Sequence, residues 1–443
     1  MTMRKITLSL AGALAAVAFA PEASAIPAFA RQVGMACSAC HYQHFPVLNQ
    51  FGRAFKEGGY TMVGAQDKIE GDDISLPVVL NAALVGYVSY SKTNGQTAPS
   101  VAGGKSTNDG SLQIPQQVSL FVGGRAGEHI GFEAEINVAN NGVGNPVGGI
   151  NRLKVPFVFD VGSVKAGVIP FSTGNGVADS FEVLNTGAVN VHAFNQQDMP
   201  SVSAQQYIGT GTNANGVAFI ASNDDFFANF AKWGANNGGG GSGAPTSNYL
   251  RAAWTTGLIP GFDSAIGVQS WSGTSYESAP AVNLVNGTVD TKATAIDAQM
   301  MGDVAGMPLL VVASYARAPA TAAADLAAGT NVNLFNNGPY DKKSFNIAAE
   351  LGVIPNKATV QLAFRRASSG MDAGVVQGGA ANGSNASDNE VMVGATYAIA
   401  LNARMELTYS KYSGDMYGAA VQAANPGTYM GDNKIILDLA FGF

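Results

Sequence analysis

From about Pro77 to its end the chain repeats short stretches in which every second residue is apolar, and few architectures accept that pattern over such a length. Ala403, Met405, Leu407 and Tyr409 alternate with Arg404, Glu406, Thr408 and Ser410. Val360, Leu362 and Phe364 stand against Thr359, Gln361 and Arg365, and Ile130, Phe132, Ala134, Ile136 and Val138 against His129, Gly131, Glu133, Glu135 and Asn137. A period of two belongs to strands with one apolar and one polar face. In a soluble sandwich the apolar face is the core; in a membrane barrel it meets lipid while charges line the lumen. Alternation alone leaves both open.

The connections decide between them, because bacterial outer-membrane barrels alternate long external loops with short periplasmic turns. Long Gly/Ala/Asn-rich segments fall near 91–111, 141–152, 170–214, 234–247, 273–292, 317–343, 368–388 and 413–431. Short turns fall between them near 125–128, 160–163, 222–225, 257–262, 302–306, 354–357 and 399–402. These connections join sixteen strands, an even number that leaves both termini on the periplasmic side. The stretch 202–209 also looks strand-like but belongs to the third long loop, since another strand there would break the alternation. The chain closes on Ile435, Leu437, Leu439, Phe441 and Phe443 along one face, and a terminal aromatic on an alternating strand resembles the insertion signal of outer-membrane barrels.

Arg4 and Lys5 precede an apolar run over 6–20, and Ala23-Ser24-Ala25 supplies small residues for cleavage, so residues 1–25 read as a secretory signal peptide. The run is shorter than the ~20 residues of a spanning helix. A net charge of −7 argues against a nucleic-acid partner.

The chain has two cysteines, both in Cys37-Ser38-Ala39-Cys40-His41. C-x-x-C-H is the spacing of covalent c-type haem attachment: each thiol adds to a porphyrin vinyl group, and the adjacent imidazole becomes the proximal iron ligand. A redox C-x-x-C or a disulfide has no need of His41. In an oxidising compartment two lone cysteines would pair unless a cofactor took both. Pro46 can open a helix that Gly58 and Gly59 close, with Leu48, Phe51 and Phe55 on the face that would cover the haem. Arg53 and Lys56 lie off that stripe, free for haem propionates or for solvent. Residues 26–74 thus form a small monohaem cytochrome domain, and 75–443 the barrel.

For the distal iron ligand Met62 is the first candidate, because the Gly58-Gly59 break allows the chain to return over the haem, and Met ligation raises the potential. His129 is the weaker candidate, read as starting a strand with its side chain toward the lumen. Met35 lies too close to Cys37, His44 is placed at the surface or behind the first ligands, and His192 lies in the longest loop. Asp67, Glu70, Asp72 and Asp73 form an acidic run that reads as a solvated linker.

Ala28-Phe29-Ala30-Arg31-Gln32, Gly34, Cys37 to His41, Pro46, Leu48, Phe51-Gly52-Arg53, Phe55-Lys56 and Gly59-Tyr60 together resemble the fused cytochrome-porins of iron-oxidising bacteria. The resemblance covers about forty residues; the remainder is similar in architecture and length. It implies a mainly β fold, a sixteen-stranded antiparallel outer-membrane barrel with a small N-terminal α-helical c-type cytochrome; a barrel of that size encloses a lumen wide enough to hold such a domain inside. It further implies oxidation of extracellular Fe(II) by one covalent haem c, with electrons passed to a periplasmic carrier such as a soluble cytochrome. The alternative is a solute-conducting porin with an accessory haem domain. The remaining partner is outer-membrane lipid.

Overall fold

The computed structural model describes residues 27–64, 66–72, 74–95, 108–140, 149–186, 200–235, 244–257, 259–276, 287–425 and 431–443. The expected signal peptide and His192 lie outside them. Sixteen antiparallel strands close into one barrel. They are β1 (Ala82–Thr93), β2 (Ser111–Arg125), β3 (Gly131–Asn140), β4 (Ile150–Lys154 and Phe157–Val161), β5 (Val164–Thr173), β6 (Ala214–Ser222), β7 (Phe226–Gly234) and β8 (Ser247–Thr256). The second half comprises β9 (Phe262–Ser272), β10 (Ala293–Val304), β11 (Met307–Ala318), β12 (Lys342–Ile354), β13 (Ala358–Asp372), β14 (Asn385–Ala400), β15 (Ala403–Ser413) and β16 (Asn433–Gly442). Every long and short connection falls where the sequence placed it. Strand β4 is broken at Pro156, which has no N–H for the ladder, yet both pieces pair with β5.

The burial pattern separates barrel from sandwich. Met405, Leu407 and Tyr409 are exposed, whereas Glu406, Thr408 and Ser410 are buried. Val360, Leu362 and Phe364 are likewise exposed beside buried Gln361 and Arg365. Apolar side chains outside and polar ones inside are the inverse of a soluble core and match a wall that faces lipid. No helix among the described residues is long and apolar enough to cross a membrane. The crossing is made by strands. This is the fold of a bacterial outer-membrane barrel.

Strand β16 closes the barrel onto β1, with Leu437 opposite Tyr90 and the backbone of Phe443 bonded in both directions to Leu84. Gly86 makes the seam possible, because a side chain there would meet the Phe441 ring at 2.3 Å. The third long connection folds inward. Thr186 donates to Asp297 at 2.5 Å, Ser201 to Glu390 at 2.6 Å and Tyr207 to Asp388 at 3.0 Å, so this connection crosses the lumen from β5 to β14. Its stretch 202–209, strand-like in sequence, contains the short helix Ala204–Ile208, capped by the Ser203 hydroxyl and by left-handed Gly209.

Residues 27–64 fill the short-turn mouth of the barrel. Helix α1 (Pro27–Val33) and helix α2 (Gln50–Glu57) pack there, and a small exposed hairpin, Lys68–Gly71 with Ile74–Pro77, leads into β1. Phe29 stacks on Tyr60 at 4.9 Å and meets Phe55 edge-on at 5.2 Å. Their cluster continues through Phe181 of the inward connection to Tyr249, Trp271, Trp233 and Phe335 near the long-loop rim. Apolar side chains occupy this part of the lumen.

Candidate functional site

Cys37–Ala39 form one 3₁₀ turn, in which the amides of Cys40 and His41 both donate to the Cys37 carbonyl, at 3.1 and 2.8 Å. The turn gathers Cys37, Cys40 and His41 in one place, and neither cysteine forms a disulfide. His41 Nδ1 lies 3.2 Å from the Val47 carbonyl. A carbonyl only accepts, so Nδ1 carries the proton and Nε2 keeps its lone pair. Burial, the largest influence, pushes the His41 imidazole down to about 4, leaving it neutral at neutral pH. A ring oriented by a bond from its other nitrogen is the usual state of a metal-binding histidine.

Helix α2 buttresses the turn. The sequence suggested Pro46 as its start, but the structure starts it at Gln50, after Asn49, whose side chain accepts from the Gly52 amide at 2.9 Å. A side-chain acceptor is available at Asn49 and none at Pro46, so the cap decides the boundary. Asn49 Nδ2 also donates to the Ala39 carbonyl at 2.9 Å, and its backbone amide donates to the Cys40 carbonyl at 2.9 Å. Gly52 is the point of closest approach: a Cβ there would sit 2.1 Å from the Cys40 carbonyl oxygen. Asn49 and Gly52 are site residues for which the haem spacing gives no signal, although capping chemistry points to the first.

Cys37, Ser38 and His41 face an open cleft between this segment and the barrel wall. The opposite side is Val85, Ala398, Ala400, Leu401, Ala440 and Phe441, with Arg404 as the cation of the lining. A mainly apolar wall with a few polar groups is the usual lining of a ligand site. Leu401 and Asn402 belong to the last short turn, so the cleft opens at the short-turn end.

The segment is fixed to turns around the barrel mouth. Arg53 pairs with Asp263 at 2.5 Å, and Tyr42 donates to the Gly302 carbonyl at 2.6 Å. Gln43 donates to Pro308 at 2.8 Å, and Arg404 to the Phe45 carbonyl at 2.9 Å. Tyr60 donates to Glu133 at 2.9 Å, and Leu48 exchanges bonds with Asn185 of the inward connection at 2.7 and 3.0 Å.

Several expectations need correction. His44 is buried, not at the surface, and its Nε2 meets Glu350 at 2.6 Å. Lys56 is buried over the Phe181 ring at 5.6 Å, and burial pushes its ammonium down to about 8. Phe55 packs on Phe29, Tyr60 and the wall, away from the cleft. His129 is on an exposed turn with its ring 4.8 Å from that of Phe159, whose side chain is exposed on the outer wall. It does not point into the lumen. Met62 and Met35 are each 45% exposed, and neither they nor His129 line the cleft, which brings together Cys37 and His41 alone among the expected ligands. Among the described residues no group of three or more His, Cys, Asp or Glu side chains is placed to hold a metal ion.

No protein-family model matches the chain, and no curated protein does. Solved barrels of the outer membrane are similar to it at low identity. Salmonella typhi OmpF in complex with daunomycin aligns at 11% identity and a TM-score of 0.49, over 85% of this chain and 100% of that one. The outer membrane channel DcaP of Acinetobacter baumannii aligns at 12% and 0.45, over 82% and 97%. In-vitro folded OmpT of Vibrio cholerae in its trimer form aligns at 10% and 0.44, over 82% and 99%.

Proposed function

We propose that the chain serves electron transfer at the outer membrane, oxidising extracellular Fe(II) with one covalent haem c and passing electrons to a periplasmic carrier such as a soluble cytochrome. The observation that carries this reading is the cleft, where Cys37 and His41 of the C-x-x-C-H turn face an apolar wall and His41 Nε2 is left with its lone pair. When bound, the haem supplies a one-electron couple between Fe(III) and Fe(II). Cys37 and Cys40 would hold it by thioether bonds, and His41 would ligate its iron. The Val47 carbonyl orients His41, while Asn49 and Gly52 keep α2 against the turn. Placing the short turns in the periplasm puts the mouth of the cleft, and both termini of the barrel chain, beside a soluble acceptor. Iron as donor rests on the resemblance.

A solute-conducting porin with an accessory haem is the second reading, favoured by the inward third connection, which narrows a lumen without having to seal it. Two measurements test the pair. Haem-stained denaturing gels should show covalent haem in the parent chain and none in the Cys37→Ala/Cys40→Ala double variant, with the barrel still inserted. Single-channel recording should show a closed pore; large steady currents favour the second reading.

A further inference from the structure

We propose that Arg404, on the barrel wall, pairs with the carboxylates of the porphyrin tethered at Cys37 and Cys40. The inference deepens the haem reading and rests on it. Arg404 opens β15 and lines the cleft opposite the C-x-x-C-H turn. Its Nη1 donates to the Phe45 carbonyl at 2.9 Å and its Nε to Glu406 at 2.8 Å, with Nη2 also on Glu406. Those contacts use three of the five N–H groups of a guanidinium, so two donors remain. A porphyrin with two carboxylates is a flat apolar body with an anionic edge. The cleft matches it in kind: an apolar wall from Val85, Ala398, Ala400 and Phe441, and a planar cation suited to carboxylate. The cofactor pocket is therefore composite. The N-terminal segment supplies the tether and the iron ligand, the barrel supplies the wall and the cation, and the Arg404–Phe45 bond ties the halves together.

The test uses the full-length protein in detergent, with covalent haem measured by staining and the midpoint potential by spectroelectrochemical titration. Arg404→Gln should keep the covalent haem and lower the midpoint, because an unpaired carboxylate stabilises the ferric state. Arg404→Lys should restore most of the loss. Glu406 stays charged and buried in the single variant and could upset folding, so Arg404→Gln/Glu406→Gln provides a charge-balanced pair that should also lie below the parent. An unchanged midpoint in haem-loaded Arg404→Gln and in the double variant overturns the proposal and leaves the haem reading intact. Absence of covalent haem from the parent protein removes both.

Discussion

Gly52 shows how one residue sets the site. A methyl group placed there meets the Cys40 carbonyl oxygen at 2.1 Å, a backbone atom that cannot swing aside. Gly52→Ala must push α2 off the turn, at a cost of about 1–3 kcal/mol. Its expected outcome is an inserted barrel with reduced haem staining; full staining with unchanged stability would remove Gly52 from the site. Glu57 makes the segment pH-sensitive. Burial raises its carboxyl to about 7 against the nearby Arg53, which favours ionisation. Below the unfolded value of 4.5 both states are protonated, and between 4.5 and about 7 the unfolded chain ionises first, so stability falls as pH rises through that window and levels off above it. Glu57→Gln should flatten this contribution, on the order of 1–3 kcal/mol, in thermal unfolding scans of the detergent-solubilised protein at pH 4.5 and pH 7.

Helix α2 is a short element whose position is decided by its cap. Asn49→Ala loses the acceptor for the Gly52 amide together with the donor to Ala39, at a cost of about 1–2 kcal/mol. Amide exchange over residues 37–41 and 50–53 should speed up in that variant while the barrel strands keep their protection; an equal acceleration across both regions would contradict a local role. The elements legible in sequence were those with a local cause. Strands follow from a period of two, and connections from Gly and Asn. The helix Ala204–Ile208 was hidden because apolar residues at 202, 204 and 208 fit an even spacing, although Ser203 and Gly209 mark its two ends. Within the site, the cysteines and His41 could be read from spacing, whereas His44 could not be assigned, since its partner Glu350 lies 306 residues away.

Across the whole molecule, the described residues of the N-terminal segment and the inward connection narrow a wide barrel. Lumen-wall polar groups find partners on these two segments: Asp297 with Thr186, Glu390 with Ser201, Glu350 with His44 and Glu133 with Tyr60. Buried charges without partners would cost several kcal/mol each, so the wall and its filling are specified together. That mutual dependence was not legible from sequence, because the wall's polar face predicts a lined lumen and carries no information on what lies against it. The most direct measurement is vectorial electron transfer in sealed vesicles, with Fe(II) on the long-loop side and an oxidised soluble cytochrome inside. The account predicts reduction of the enclosed cytochrome by the haem-loaded protein and none by the Cys37→Ala/Cys40→Ala variant. An enclosed cytochrome that stays oxidised beside a fully loaded protein, or one reduced equally well through the double variant, would contradict it.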